Sequence, residues 1–199
     1  MTPQAELSAE SILDLFRSTG AYLSGHFRLT SGLHSPAYLQ CALVLEYPRH
    51  AEELGRLLAD ALRKIVTEPV GLVVSPALGG LIIGHEVARA LGARFIFTER
   101  DESKKMTLRR GFAVSPGEAA VVVEDVVTTG GSTRDVVEVL RAAGARPLAA
   151  GSIVDRSGGH ADVGAPRVAL VTLEVVAYDP AQCPLCAQGV PAVKPGSSR

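Results

Sequence analysis

The 199-residue chain has only three cysteines, Cys41, Cys183 and Cys186, which is too few and too odd a number for a disulfide framework. Charge of either sign is not in excess: 20 Lys and Arg face 21 Asp and Glu, a formal net charge of −1. That balance excludes broad electrostatic attraction to nucleic acid or to an anionic membrane surface. No uninterrupted apolar run reaches the roughly 18 residues of a membrane span. The opening MTPQAELSAES has neither the basic n-region nor the apolar h-region of a secretory signal, so a cytoplasmic location is the expectation. There is no internal repeat, no helix-turn-helix extension, and no His-Cys-Asp grouping of the kind a nucleophilic triad needs. The one low-complexity stretch is the tail 194–199, part of a segment 191–199 expected to be frayed.

What remains is an ordinary globular composition, 47% apolar, enough for one sizeable core. Ser8 is a candidate N-cap for a helix that places Ile12, Leu13 and Phe16 on one face and stops at Gly20. After Pro48, Ala51, Leu54, Leu57, Leu58, Ala61, Leu62 and Ile65 recur at helical spacing. Residues 70–74, 95–97, 119–123, 148–154 and 168–176 read as strands. One helix opens at Gly79-Gly80 and runs through Ile82, Ile83, Val87 and Leu91, and another carries Val136, Val137, Val139 and Leu140 and stops at Gly144. Strands alternate with helices from residue 50 to 155, the signature of β-α-β units and a mostly parallel sheet covered on both faces. The segment before residue 50 is less regular and is expected to form a cap. In such sheets ligands bind outside the carboxyl ends of the strands.

One of those ends carries VVVEDVVTTGGST, residues 121–133. Thr128, Thr129, Gly130, Gly131 and Ser132 lead from a strand into a helix. Its first N–H groups lack intrahelical partners, and its dipole favours an anion. The glycines admit a ligand close to the backbone, and the hydroxyls add donors. By itself the glycine pair also reads as a capped turn. It is not a Walker loop, because no G-K-[ST] follows, nor the G-x-G-x-x-G dinucleotide turn. Glu124 and Asp125 tip the balance. Two adjacent carboxylates at the end of a buried strand are costly unless solvated, paired or ligand-bound. They can accept hydrogen bonds from sugar hydroxyls or face a magnesium ion. A ribose 5-phosphate satisfies both halves of the stretch.

These thirteen positions resemble the phosphoribosyl-pyrophosphate motif of the type I phosphoribosyltransferases. The resemblance spans roughly residues 20–160. It implies an α/β fold: a parallel sheet flanked by helices with a small N-terminal and C-terminal hood. The expected organisation is a single domain over 1–199, with 1–48 and about 155–190 contributing the hood. Residues 25–36, GHFRLTSGLHSP, resemble the N-terminal signature of the orotate phosphoribosyltransferases. Arg156 follows a later strand where that family carries its orotate-contacting arginine. By type alone it would be a surface arginine paired to a nearby acid, yet a guanidinium fork matches the carboxylate of orotate, and a purine has no such group.

The resemblance implies transfer of ribose 5-phosphate from phosphoribosyl pyrophosphate to orotate, in the pathway to UMP. Glu124, Asp125, Lys104 and Arg100 are implied as catalytic. Residues 128–132 would hold the 5′-phosphate, and Arg156, Thr128 and the backbone near Tyr38 and Leu39 would place orotate. The segment SPALGG, 75–80, resembles the family's pyrophosphate loop, with Leu78 and Gly79 in it. Mg2+ is the implied cofactor, held mainly by the substrate near Asp125. The charged run 99–110 reads as a solvated loop; in the family it is a lid that enters the neighbouring subunit's site. That implies a homodimer, with Arg100 and Lys104, then Lys105, on pyrophosphate.

Two positions depart from the family pattern: Thr30 and Gly79 stand where many relatives carry lysine. The roles of Arg109 and Arg110 stay open, as does Cys183-Pro-Leu-Cys186, whose spacing suits a metal. A closed zinc site needs about four ligands, and the chain has no second C-x-x-C, so a pair of free thiols on a turn, a zinc site shared between subunits and a disulfide are the readings. His26 and His34, in the signature segment, are candidates for the vicinity of the site; His85 reads as packing or capping, and His50 and His160 as exposed. Two other functions share the central motif: a purine or uracil phosphoribosyltransferase, and a regulatory protein using the pocket as a sensor.

Overall fold

The computed structural model describes residues 8–29 and 31–194. Ser8 caps the first helix, α1 (Ala9–Ser18), by accepting from the Ser11 N–H at 3.2 Å. Ile12 and Phe16 are buried on its inner face, and Gly20 turns the chain out at φ +70°. A hairpin follows, β1 (Tyr22–Arg28) and β2 (His34–Leu39), antiparallel and bulged between Ser24 and Phe27. The sequence reading missed these strands. β1 has no clean alternation of burial, and β2 contains Pro36. After a short turn of helix, α2 (Ala42–Leu45), comes the long α3 (Pro48–Ile65), with Pro48 at its first position.

The main sheet is built from β3 (Leu72–Pro76), β4 (Arg94–Arg100), β5 (Met106–Leu108), β6 (Ala119–Val127), β7 (Arg146–Asp155) and β8 (Arg167–Thr172). Helices α4 (Gly80–Leu91) and α5 (Gly131–Ala142) cross between strands. The spatial order is β5-β4-β3-β6-β7-β8, all parallel except β5. The expected mostly parallel sheet therefore holds, with β5 added as an antiparallel edge.

Both faces are buried, and the pleat sorts the residues between them. Val73, Val121 and Val123 face a core shared with Phe16, Leu54, Leu58, Leu62, Ile83 and Val87. Leu72, Val74, Ala120 and Val122 face the other core, with Val136, Val137 and Leu140 of α5. The chain winds from β3 outward to β4, then returns to place β6 on β3's other side. The switch point thus lies between β3 and β6, where an open α/β sheet leaves a crevice.

Beyond Thr172 the strand expected to reach residue 176 bends away. Residues 174–178 return to the hairpin, where His34 and Tyr178 exchange backbone hydrogen bonds at 2.8 and 2.9 Å. A 3-10 turn (Pro180–Gln182) and a single helical turn, α6 (Pro184–Ala187), follow. Val193 bridges to β1, donating to the His26 carbonyl and accepting from Arg28 N–H at 2.8 Å each. Of the tail expected to fray, 195–199 lie outside the described residues, and Val193 is tied to the hairpin.

Candidate active site

The carboxyl ends of β3 and β6 bring the segment 75–80 against the acidic pair. Gly79 packs so closely on Asp125 that a Cβ there would stand 2.6 and 2.7 Å from the two carboxylate oxygens. A side chain at Gly79 would therefore require the Asp125 carboxylate to shift. Thr30, the other departure, lies outside the described residues. Leu78, joined to Ala77 by a cis peptide, is 81% exposed beside this contact.

Glu124 accepts a short hydrogen bond from Thr133 Oγ1, and Asp125 Oδ1 accepts from Val126 N–H at 2.9 Å. Burial raises the Glu124 carboxyl to about 7; the Thr133 bond opposes this and the adjacent Asp125 reinforces it. Asp125 is likewise raised by burial, against the stabilising Val126 N–H. Two carboxylates held above their ordinary range at a strand end are a costly arrangement in a free protein and favour a ligand that supplies hydroxyls or positive charge.

The loop after β6 turns through Gly130 at φ +82°, where a Cβ would also stand 2.8 Å from the Asp162 carbonyl. Only glycine meets both conditions. The turn aims the first N–H groups of the 12-residue α5 outward, with Thr128, Thr129 and Gly131 exposed and Ser132 half-buried. Arg100, at the end of β4, donates to Asp135 at 3.0 Å and to Ser132 Oγ at 3.4 Å. A cation from the charged segment thus lies at the start of α5 of its own chain.

A cleft of about 470 Å3 opens beside the loop, lined among others by Tyr38, Thr128, Thr129 and Arg156, with Leu33 and Val175 as apolar walls. Arg156 follows β7 directly, its N–H fixed on the Val127 carbonyl at 2.8 Å. Its Nε is buried with no hydrogen-bond partner among the described residues, and burial lowers the guanidinium's pKa from its ordinary value. The surface-ion-pair reading of Arg156 therefore does not apply. Its neighbour Asp155 takes the ion pair instead: 1% exposed, it accepts from Ser157 N and Oγ at 2.8 and 2.6 Å and from Arg167. Burial alone would raise the Asp155 carboxyl, but the Ser157 and Arg167 bonds bring it below its usual range. Asp155 and Arg167 anchor the turn that presents Arg156. Nothing in the sequence linked two residues twelve apart on different strands.

The structure brings together Tyr38, Thr128, Thr129 and Arg156 in one cleft, and Gly79, Glu124 and Asp125 beside it. Leu39 has its side chain in the core. The charged segment is a hairpin: β4 and β5 joined by a turn that Asp101 pins through Lys105 N–H at 2.9 Å and Ser103 Oγ at 2.7 Å. At its tip Lys104 (φ +65°) and Lys105 are exposed, and they line a second cleft of about 390 Å3 against α5. Arg110 is committed to Glu99, with two hydrogen bonds at 2.7 and 2.8 Å, and lies over Phe97. His26 and His34 do not line the cleft; they meet the two late cysteines.

Residues 44–183 match the family described as "Phosphoribosyl transferase domain". The chain is 54% identical over 191 residues to the orotate phosphoribosyltransferase of Heliobacterium modesticaldum, covering 96% of this chain and 99% of the relative. It is 53% identical over 193 residues to that of Pelotomaculum thermopropionicum, covering 97% and 100%. Among solved structures, the orotate phosphoribosyltransferase of Aeropyrum pernix superimposes with a TM-score of 0.63 at 25% identity, covering 82% of this chain and 94% of that one.

Proposed function

From the premise that the chain belongs to the orotate phosphoribosyltransferases of the phosphoribosyl transferase family, we propose that the β3–β6 crevice and the Arg156 cleft together hold the two substrates. The reaction joins orotate to phosphoribosyl pyrophosphate, giving orotidine 5′-monophosphate and pyrophosphate. One observation carries the assignment of the base: Arg156, buried at Nε and unpartnered, in a cleft shared with Tyr38 and the first residue of the phosphate loop. A half-buried guanidinium whose Nε reaches neither solvent nor an acid is costly, and a planar carboxylate is the ligand whose geometry answers it.

In this reading, residues 128–132 hold the 5′-phosphate through main-chain N–H groups and hydroxyls. That sets the sugar's hydroxyls on Glu124 and Asp125. As the C1–O bond lengthens, cationic character grows on the ribose and negative charge on the departing pyrophosphate. A Glu124 with pKa about 7 is readily ionised as that cation forms. The main-chain N–H groups of Leu78 and Gly79 are offered to pyrophosphate, and Arg100, held here by Ser132 and Asp135, receives its charge on leaving them. Glu124 and Asp125 are hard oxygen donors suited to Mg2+ and its waters, and the ion would neutralise the pyrophosphate it accompanies.

Lys104 and Lys105, exposed at the hairpin tip and without an ion pair among the described residues, are free to reach a second copy of the chain. A homodimer with lids exchanged between sites follows. The reaction fits a cytoplasmic enzyme, and no described helix is long and apolar enough to cross a membrane.

Incubating the protein with orotate, phosphoribosyl pyrophosphate and Mg2+ tests the function through loss of orotate absorbance. Adenine, hypoxanthine and uracil serve as competing bases. Turnover of any of these with orotate untouched would overturn the reading.

A further inference from the structure

Four metal-ligating side chains converge outside the cleft. His26 and His34 come from the β1–β2 hairpin and Cys183 and Cys186 from the C-terminal segment, and one ligand atom from each lies within 4.8 Å of all the others. His26, His34 and Cys183 are buried, at 3%, 7% and 3% exposure. His26 Nε2 is 2.9 Å from His34 Nδ1, 3.4 Å from Cys183 Sγ and 3.9 Å from Cys186 Sγ, and Cys186 Sγ is 3.3 Å from His34 Nδ1.

We propose that these four residues form a structural zinc site that staples the C-terminal segment onto the hairpin. Zn–N bonds of about 2.05 Å and Zn–S bonds of about 2.3 Å, arranged tetrahedrally, separate ligand atoms by roughly 3.3–3.8 Å, so adjustments of about an ångström seat the ion. Two imidazoles and two thiols are a soft-to-borderline donor set that selects zinc over Mg2+. The surrounding structure is oriented for it. His26 Nδ1 is 2.7 Å from the Val190 carbonyl, which can only accept, so Nδ1 carries the proton and Nε2 turns its lone pair toward the cluster.

Pro184 starts a single helical turn that puts Cys183 and Cys186 on one side, and the turn closes with the Gly189 N–H on the Cys186 carbonyl at 2.9 Å. Main-chain bonds flank the cluster, His34 with Tyr178 on one side and His26 with Val193 on the other. Hydrogen bonding alone uses the group poorly, since one Nε2 lone pair would face a ring nitrogen and two weak thiol donors. The site is closed, with four protein ligands and no open position, which makes it structural rather than catalytic. Because Val175 and Ala177 line the cleft just before Tyr178, the staple also braces that wall.

The test uses the full chain without a polyhistidine tag, purified under reducing conditions. Elemental analysis is expected to give about one zinc per chain, and the Cys183→Ser/Cys186→Ser variant to lose it. Cobalt replacement is expected to produce thiolate-to-cobalt charge-transfer bands, and chelation to lower Tm by at least about 5 °C. Less than about a tenth of an equivalent after incubation with excess Zn2+ and desalting would overturn the proposal. So would full zinc retention by the double variant, or a disulfide between Cys183 and Cys186 in thiol titration of the denatured chain. Should the double variant fail to fold, the cobalt spectrum of the unmodified chain decides, and absence of sulfur charge transfer refutes the site. None of these readouts depends on the reaction.

Discussion

Gly79 faces Asp125 across the β3–β6 crevice so closely that a Cβ on Gly79 would stand 2.6 Å from the Asp125 carboxylate. The missing side chain is thus a requirement of the acidic pair's position, and restoring one forces either residue to move. Gly79→Ala is expected to cost about 1–3 kcal/mol of stability by overpacking. It should also lower kcat by up to about 100-fold, since displacing a positioning group by an ångström is worth that much. Thermal unfolding and steady-state kinetics check both; a variant with unchanged Tm and kcat would show that Asp125 yields freely.

Arg156→Lys keeps a positive charge but loses the planar fork, so it should not rescue the site. A charge-assisted hydrogen-bond pair lost from a buried cleft is worth about 2–3 kcal/mol, a fall of roughly 30- to 150-fold in kcat/KM for orotate. KM for phosphoribosyl pyrophosphate should change little. Equal losses for both substrates would argue that Arg156 serves the fold instead.

Glu124 makes stability depend on pH in a definite direction. Its carboxyl titrates near 4.5 when exposed and near 7 in the folded protein. Between those values the native state holds more protons than the unfolded chain, so stability falls as pH rises through the window. The effect is complete above pH 7 and amounts to about 3 kcal/mol. Glu124→Gln removes the titration. Relative to the parent, the variant should gain stability at pH 8 and show little difference at pH 5, while losing activity. Chemical denaturation at the two pH values tests this, and a constant difference between the proteins would contradict it.

Mixing Lys104→Ala subunits with Asp125→Asn subunits tests the exchanged lid. Each parent variant is expected to be nearly inactive. With random pairing, half the dimers carry one site in which both residues are intact, giving about a quarter of the unmodified activity. No recovery after subunit exchange would place Lys104 in its own chain's site.

Local signals made much of this protein readable. Strand β6 and the loop after it are contiguous, so the apolar run, the acidic pair and the Thr/Gly/Ser turn could be read together as a candidate anion site at a strand end without any tertiary knowledge. The helices α3, α4 and α5 were legible because their apolar stripes repeat at 3.6 residues and Gly or Pro marks their ends. Arg156 was singled out only through the family resemblance, which reversed the surface reading its type alone suggested. The hairpin of residues 22–39 carried no such period, since its burial depends on what the C-terminal segment lays over it.

What only tertiary structure decided are relationships between distant residues. Folding sets Gly79 against Asp125, Asp155 against Arg167 and Arg100 against Ser132. It also brings His26 and His34 to a cysteine pair about 150 positions later. Periodicity and motif spacing report only what neighbours along the chain can do. Where strands end beside one another in space is set by crossovers and by burial of both sheet faces, and a local reading of the sequence does not carry that information.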